Sequence, residues 1–117
     1  MSKIRDLSLD TSMARWSMKC EKCGADLGGF EAKQASICLR VRGDEETRSY
    51  FLCVKCDAYS VWVCIEDFFT DKDTMFARGP IPRKEGDAII DKIKQCSAPG
   101  IPSCRCPTHE EMSGWSM

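Results

Sequence analysis

The sequence predicts a small α+β fold: a three-stranded antiparallel sheet, one C-terminal helix and two cysteine-rich loops. Three observations carry this expectation. Two Cys-x-x-Cys pairs, Cys20/Cys23 and Cys53/Cys56, bracket a segment in which apolar and polar residues alternate. A run of β-branched and aromatic residues, Ala58 to Ile65, follows the second pair. Near the C-terminus, Cys96, Cys104 and Cys106 cluster with His109, the only histidine.

A chain of 117 residues has room for one domain with a thin core. Its hydrophobic fraction of 43% and charged fraction of 30% fit a small core under much surface. Cross-links then contribute a large share of the stability. No run approaches the roughly 20 apolar residues that span a bilayer. Residues 1–16 lack the apolar stretch of a secretory signal. A cytoplasmic protein is therefore expected. Thiols are kept reduced in that compartment, so nine cysteines, an odd number, point away from a disulfide framework. A net charge of −1 gives no general attraction to phosphate backbones.

Along the chain, residues 1–16 form an N-terminal arm with scattered apolar positions (Ile4, Leu7, Leu9, Met13, Trp16). A β unit spans 17–66. In it Ile37, Leu39 and Val41 alternate with Cys38, Arg40 and Arg42, the two-residue period of a half-buried strand. Gly43 to Glu46 reads as a turn, and Arg48 to Cys53 as the returning strand. Ala58 to Ile65 is the third. Residues 67–110 contain a connecting stretch with Phe68, Phe69, Met75 and Phe76, broken at Gly79-Pro80-Ile81-Pro82. A helix over 84–96 follows, with Ile89, Ile93 and Cys96 on one face, then a ligand loop held extended by Pro102 and Pro107. Residues 111–117 are a tail.

Two cysteines separated by two residues can place both sulfurs on one cation, and Gly24 eases the backbone just after the first pair. Cys20, Cys23, Cys53 and Cys56 thus make a tetrahedral four-thiolate set. This stretch, about residues 18–65, resembles a zinc ribbon, in which two such knuckles at hairpin ends clamp one zinc. The resemblance implies metal binding and a ribbon-like sheet, and no particular function. Twenty-nine residues separate Cys23 from Cys53, more than the common spacing of roughly 15–20. Closing that loop costs about 3 kcal/mol plus a constant. Zinc binding of roughly 10–16 kcal/mol outweighs it.

Cys96, Cys104, Cys106 and His109 form a second candidate set, three thiols and one imidazole within fourteen residues. Cys64 is the alternative fourth ligand, and a redox pair of Cys104 and Cys106 is a competing reading. Cys38 and Cys64 are otherwise expected as buried core thiols. Two zinc ions are expected in all, with iron or an iron–sulfur cluster as the alternative.

No glycine-rich phosphate loop, Ser/His/Asp order or catalytic carboxylate pair stands out. Glu66, Asp67, Asp71 and Asp73 read as a solvated acidic loop, and Arg78, Arg83 and Lys84 as a surface or partner contact. The expectation is a non-catalytic accessory subunit or adaptor of a larger protein, its arms carrying apolar residues that need cover. A nucleic-acid-binding ribbon, using Arg40, Arg42, Arg48 and Tyr50, is the first alternative. An iron–sulfur small subunit of an oxidoreductase or other enzyme complex is the second. No membrane partner is expected.

Overall fold

The computed structural model describes residues 16–67, 70 and 72–113. A 3-10 turn at Phe30–Ala32 precedes strands β1 (Ala35–Val41), β2 (Asp44–Cys53), β3 (Ala58–Asp67) and β4 (Lys72–Pro82). Helices α1 (Arg83–Gln95) and α2 (Pro107–Ser113) complete the order. The strands form one antiparallel sheet in the sequence order β1-β2-β3-β4. Among the described residues, no helix is long and apolar enough to cross a membrane.

The sheet has four strands rather than three. The stretch expected as a connection, from Lys72 to Pro82, is an edge strand along β3. Gly79, Pro80 and Pro82 do break helix, yet an edge strand tolerates proline, because an outward N–H there has no ladder partner. The register shifts between Tyr59 and Val61 as β4 passes Gly79. A Cβ on Gly79 would stand 2.9 Å from the Tyr59 carbonyl oxygen, so only glycine fits this approach. Phe68, Phe69 and Asp71 lie outside the described residues.

The first hairpin also differs. Its turn is two residues, Arg42 (φ 54°) and Gly43 (φ 88°), and Asp44 already pairs with Val41. Two successive positive φ values give a turn whose twist matches the strands it joins. Asp44 to Glu46 are therefore strand.

Alternation sorts the sheet into two faces. Ile37, Leu39, Tyr50, Tyr59, Val61 and Val63 lie on one face and pack against Ile90, Ile93 and Met112 from the helices. Arg48 lies buried on this face too, its Nε 2.6 Å from a Glu46 carboxylate oxygen. Tyr50 is likewise buried. The face imagined for nucleic acid thus loses two of its four residues to the core. Gly86 of α1 rests directly on the Tyr59 ring, and the Tyr59 hydroxyl donates to Asp87.

Cys38 and Cys64 are not core thiols. They sit half-buried on the opposite face, across Thr47, because their odd-numbered neighbours face the helices. Trp16, the last residue of the expected arm, also belongs to that side. It stacks on Phe30 at 4.2 Å and meets Trp62 at 5.3 Å. Residues 1–15 of the arm and 114–117 of the tail lie outside the described residues. Glu111 to Ser113, expected as tail, continue α2, and Met112 is fully buried. Pro107 starts that helix instead of extending the loop, a position where its missing N–H costs nothing.

Candidate metal centres

The first centre joins two separate turns. Residues 18–28 form a minimal hairpin, closed by Met18 N–H to the Gly28 carbonyl at 2.8 Å and Leu27 N–H to the Met18 carbonyl at 2.7 Å. At its tip, Gly24 (φ 79°) donates its N–H to the Cys20 carbonyl at 2.9 Å. The second turn is the β2–β3 connection, where Cys53 ends β2 and Asp57 (φ 56°) occupies the place that Gly24 has in the first. Asp is among the few residues other than glycine that visit this conformation readily. Glu21 N–H donates to Ser60 Oγ at 2.8 Å and fastens the first turn to β3.

This arrangement brings Cys20 Sγ within 3.9 Å of Cys56 Sγ, and Cys23 Sγ within 3.8 Å of Cys53 Sγ. All four ligand atoms lie within 4.8 Å of one another. Two thiolates on a tetrahedral zinc, with Zn–S about 2.3 Å, stand about 3.8 Å apart. The spacing fits a single ion.

The second centre is built from the end of α1, the following loop and α2. Cys96 leaves the helix in extended conformation, its N–H still bonded to the Ile93 carbonyl. Cys96 Sγ lies 3.7 Å from Cys104 Sγ. His109 Nδ1 lies 3.4 Å from Cys96 Sγ and 3.2 Å from Cys106 Sγ. Here too the four ligand atoms fall within 4.8 Å. Cys64 takes no part; it faces away on the outer side of the sheet. Of the two candidates for the fourth position, the structure brings His109 to the cluster.

The imidazole has its other nitrogen engaged. Nε2 lies 3.1 Å from the Cys38 carbonyl oxygen, so Nε2–H donates there and Nδ1 presents its lone pair to the cysteines. Cys38 N–H in turn donates to the Pro99 carbonyl at 2.8 Å. The second loop is thereby bonded to the outer edge of β1. A salt bridge from Lys92 to Glu111 and a 2.8 Å bond from Thr108 Oγ1 to the Lys92 carbonyl hold α2 on α1.

Electrostatics give a reason for a cation in each cluster. Burial pushes the Cys20 thiol up, but the N–H groups of Cys23 (3.4 Å) and Lys22 (3.3 Å) outweigh it and bring Cys20 down to about 6. Its neighbour Cys56 is pushed up to about 12 by hydrogen bonding with Cys23, by burial and by the remaining thiols. The second cluster repeats the pattern. Burial of Cys106 is outweighed by hydrogen bonding, led by the His109 backbone N–H at 3.3 Å, giving about 6, while burial leads in raising Cys96 to about 11. One thiolate forms readily in each set. Further negative charge needs a positive ion among the sulfurs.

Both predicted ligand sets are thus assembled as spatial clusters able to hold metal, and all nine cysteines are unbridged. The residues that sequence reading missed are those that act through the backbone. Asp57 carried a usable signal, as a left-handed-tolerant residue just after the second pair. The Cys38 and Pro99 carbonyls carried none. Comparison with protein-family models, with curated proteins and with solved structures gives no match to this chain.

Proposed function

We propose that this chain is a non-catalytic accessory subunit or adaptor of a larger cytoplasmic protein complex, kept rigid by two structural zinc ions. The observation behind it is that each ligand set is already complete with four protein donors at the spacing of one tetrahedral ion. A filled shell of this kind leaves no coordination position for substrate or water, so the metals serve shape. Zinc is favoured over iron on the donor types, four thiolates in one set and three thiolates with an imidazole in the other. A cluster of several irons would spread its cysteines over different metal atoms, farther apart than these sulfurs stand. The ribbon-like unit over 17–66 and the segment over 67–110, joined by Trp16 and the rest of α2, are read as one stapled body, with 1–15 and 114–117 as contact arms.

The nucleic-acid alternative has less behind it, since Arg48 and Tyr50 are buried and Arg40 faces Glu45 at 3.5 Å. Elemental analysis of the purified chain tests the metal part: two zinc per 13.2 kDa chain and a colourless solution are expected. A brown sample, or fewer than two metals, overturns it. Isolation of the tagged chain from its native source tests the rest. Co-migration with a larger protein at fixed stoichiometry is expected, and migration alone at every salt concentration overturns the adaptor reading.

A further inference from the structure

The helices cover one face of the sheet, and no described element covers the other beyond its aromatic end. There, Trp16 and Phe30 pack over Phe51 and Trp62. Moving along the strands, the next rows of this face carry small and sulfur-bearing side chains. Cys64 stands directly opposite Met75, which is 56% exposed. The last row is acidic: Glu45 pairs with Glu66, and Glu66 with Asp73.

Like charges directly opposite across strands are unfavourable. This row places three side by side. Arg40 reaches Glu45 at 3.5 Å, while among the described residues Glu66 and Asp73 have no cationic partner. Their field is felt at Cys64, whose thiol is raised by burial first and then by Asp73 and Glu66. An exposed methionine beside half-buried aromatic rings, ending in uncompensated carboxylates, is a surface with a defined complement. Its occupant needs apolar side chains along one stripe and cations at one end.

We propose that the open sheet face is the docking surface for a basic amphipathic helix of another protein, its apolar stripe on Trp62 and Met75 and its Lys or Arg residues on Glu66 and Asp73. A helix suits this site better than an added strand. The outer edge of β1 is taken by Pro99 and His109, and the edge strand β4 carries Pro80 and Pro82, which have no N–H to offer. The opposite face of the same sheet already receives two helices, so the geometry is one that this sheet supports. The proposal rests on the adaptor reading and names the chemistry of its partner.

Site-specific photo-crosslinking of the full zinc-loaded chain tests it in the native cell. A benzophenone amino acid replaces Met75 in one variant and Val54, 75% exposed in the second knuckle, in a control. Adducts from position 75 to a Lys- or Arg-bearing segment of another protein, mapped by mass spectrometry, are the expected result. A Glu66→Lys/Asp73→Lys background that keeps two zinc ions should lower their yield about tenfold or more, because apposed like charges cost several kcal/mol. Adducts to the chain's own residues 1–15, to a second copy or to a segment without basic residues overturn the proposal. So does an undiminished yield in the double variant, or a complex that crosslinks only at position 54. In all of those cases the adaptor reading stands. A chain that forms no complex at all removes both.

Discussion

His109 touches Cys38 and the second thiol cluster at once: Nε2 lies 3.1 Å from the Cys38 carbonyl oxygen, and Nδ1 lies 3.2 Å from Cys106 Sγ. Two residues 71 positions apart are joined by one ring. His109→Ala is therefore expected to remove one zinc and to loosen β1 as well as the loop. The Cys38 amide, bonded to the Pro99 carbonyl, should exchange with solvent at least about tenfold faster, as expected when a local closed unit opens. His109→Cys separates the two roles, keeping the metal while losing the bond to Cys38. Elemental analysis with amide exchange by NMR reads both. An unchanged Cys38 amide in His109→Ala would count against the tether.

Cys53→Ser should act more widely, because Cys53 closes β2 and its sulfur lies 3.8 Å from that of Cys23. Zinc binding contributes roughly 10–16 kcal/mol in small zinc domains. That exceeds or matches the usual 5–15 kcal/mol margin of a folded domain. Loss of most strand signal by circular dichroism is expected, against a small loss for His109→Ala. Equal losses from the two variants would argue against separate centres.

Gly86→Ala sets two effects against each other. Alanine is favoured over glycine within a helix by about 1 kcal/mol. A Cβ at Gly86, however, would stand 2.1 Å from Tyr59 Cδ2, and the ring is held by its hydroxyl bond to Asp87. Overpacking costs typically about 1–3 kcal/mol. Net destabilisation is expected, with a melting temperature lower by a few degrees and both zinc ions retained. A higher melting temperature would show that the ring gives way freely.

Tyr59 also gives the protein a dependence on alkaline pH. Burial, then the Asp87 carboxylate, raises its phenol to about 12, above the ordinary value of 10.0. Between those values the folded state holds a proton that the unfolded state has released, so stability falls as pH rises through this window. Below it the contribution is fully present. Urea denaturation from pH 9 to 12 should show a shallower fall in Tyr59→Phe than in the native chain. Parallel slopes would exclude Tyr59 as the cause.

How much of this was legible depended on how local each signal is. Alternation of Ile37, Leu39 and Val41 with Cys38, Arg40 and Arg42 marked a half-buried strand, because a period of two needs only neighbours. The ligand sets were visible for the same reason, as short spacings of rare residue types. Strand β4 was missed because Gly79, Pro80 and Pro82 look like a break unless one knows that they lie on an edge. Helix α2 has seven residues and one fully buried apolar anchor, Met112, too little for a periodic pattern. The placement of Cys38 outside the core followed from its own alternation, which its buried character as a residue type obscured.

The bonds that Cys38 makes to Pro99 and His109 fill the middle of one border of the sheet, while prolines guard the other. Unsatisfied strand borders invite other chains to stack on them. On the two-zinc reading, withdrawal of the second ion would therefore do more than relax a loop. It would uncover a sticky seam and tie the chain's resistance to self-association to its supply of metal.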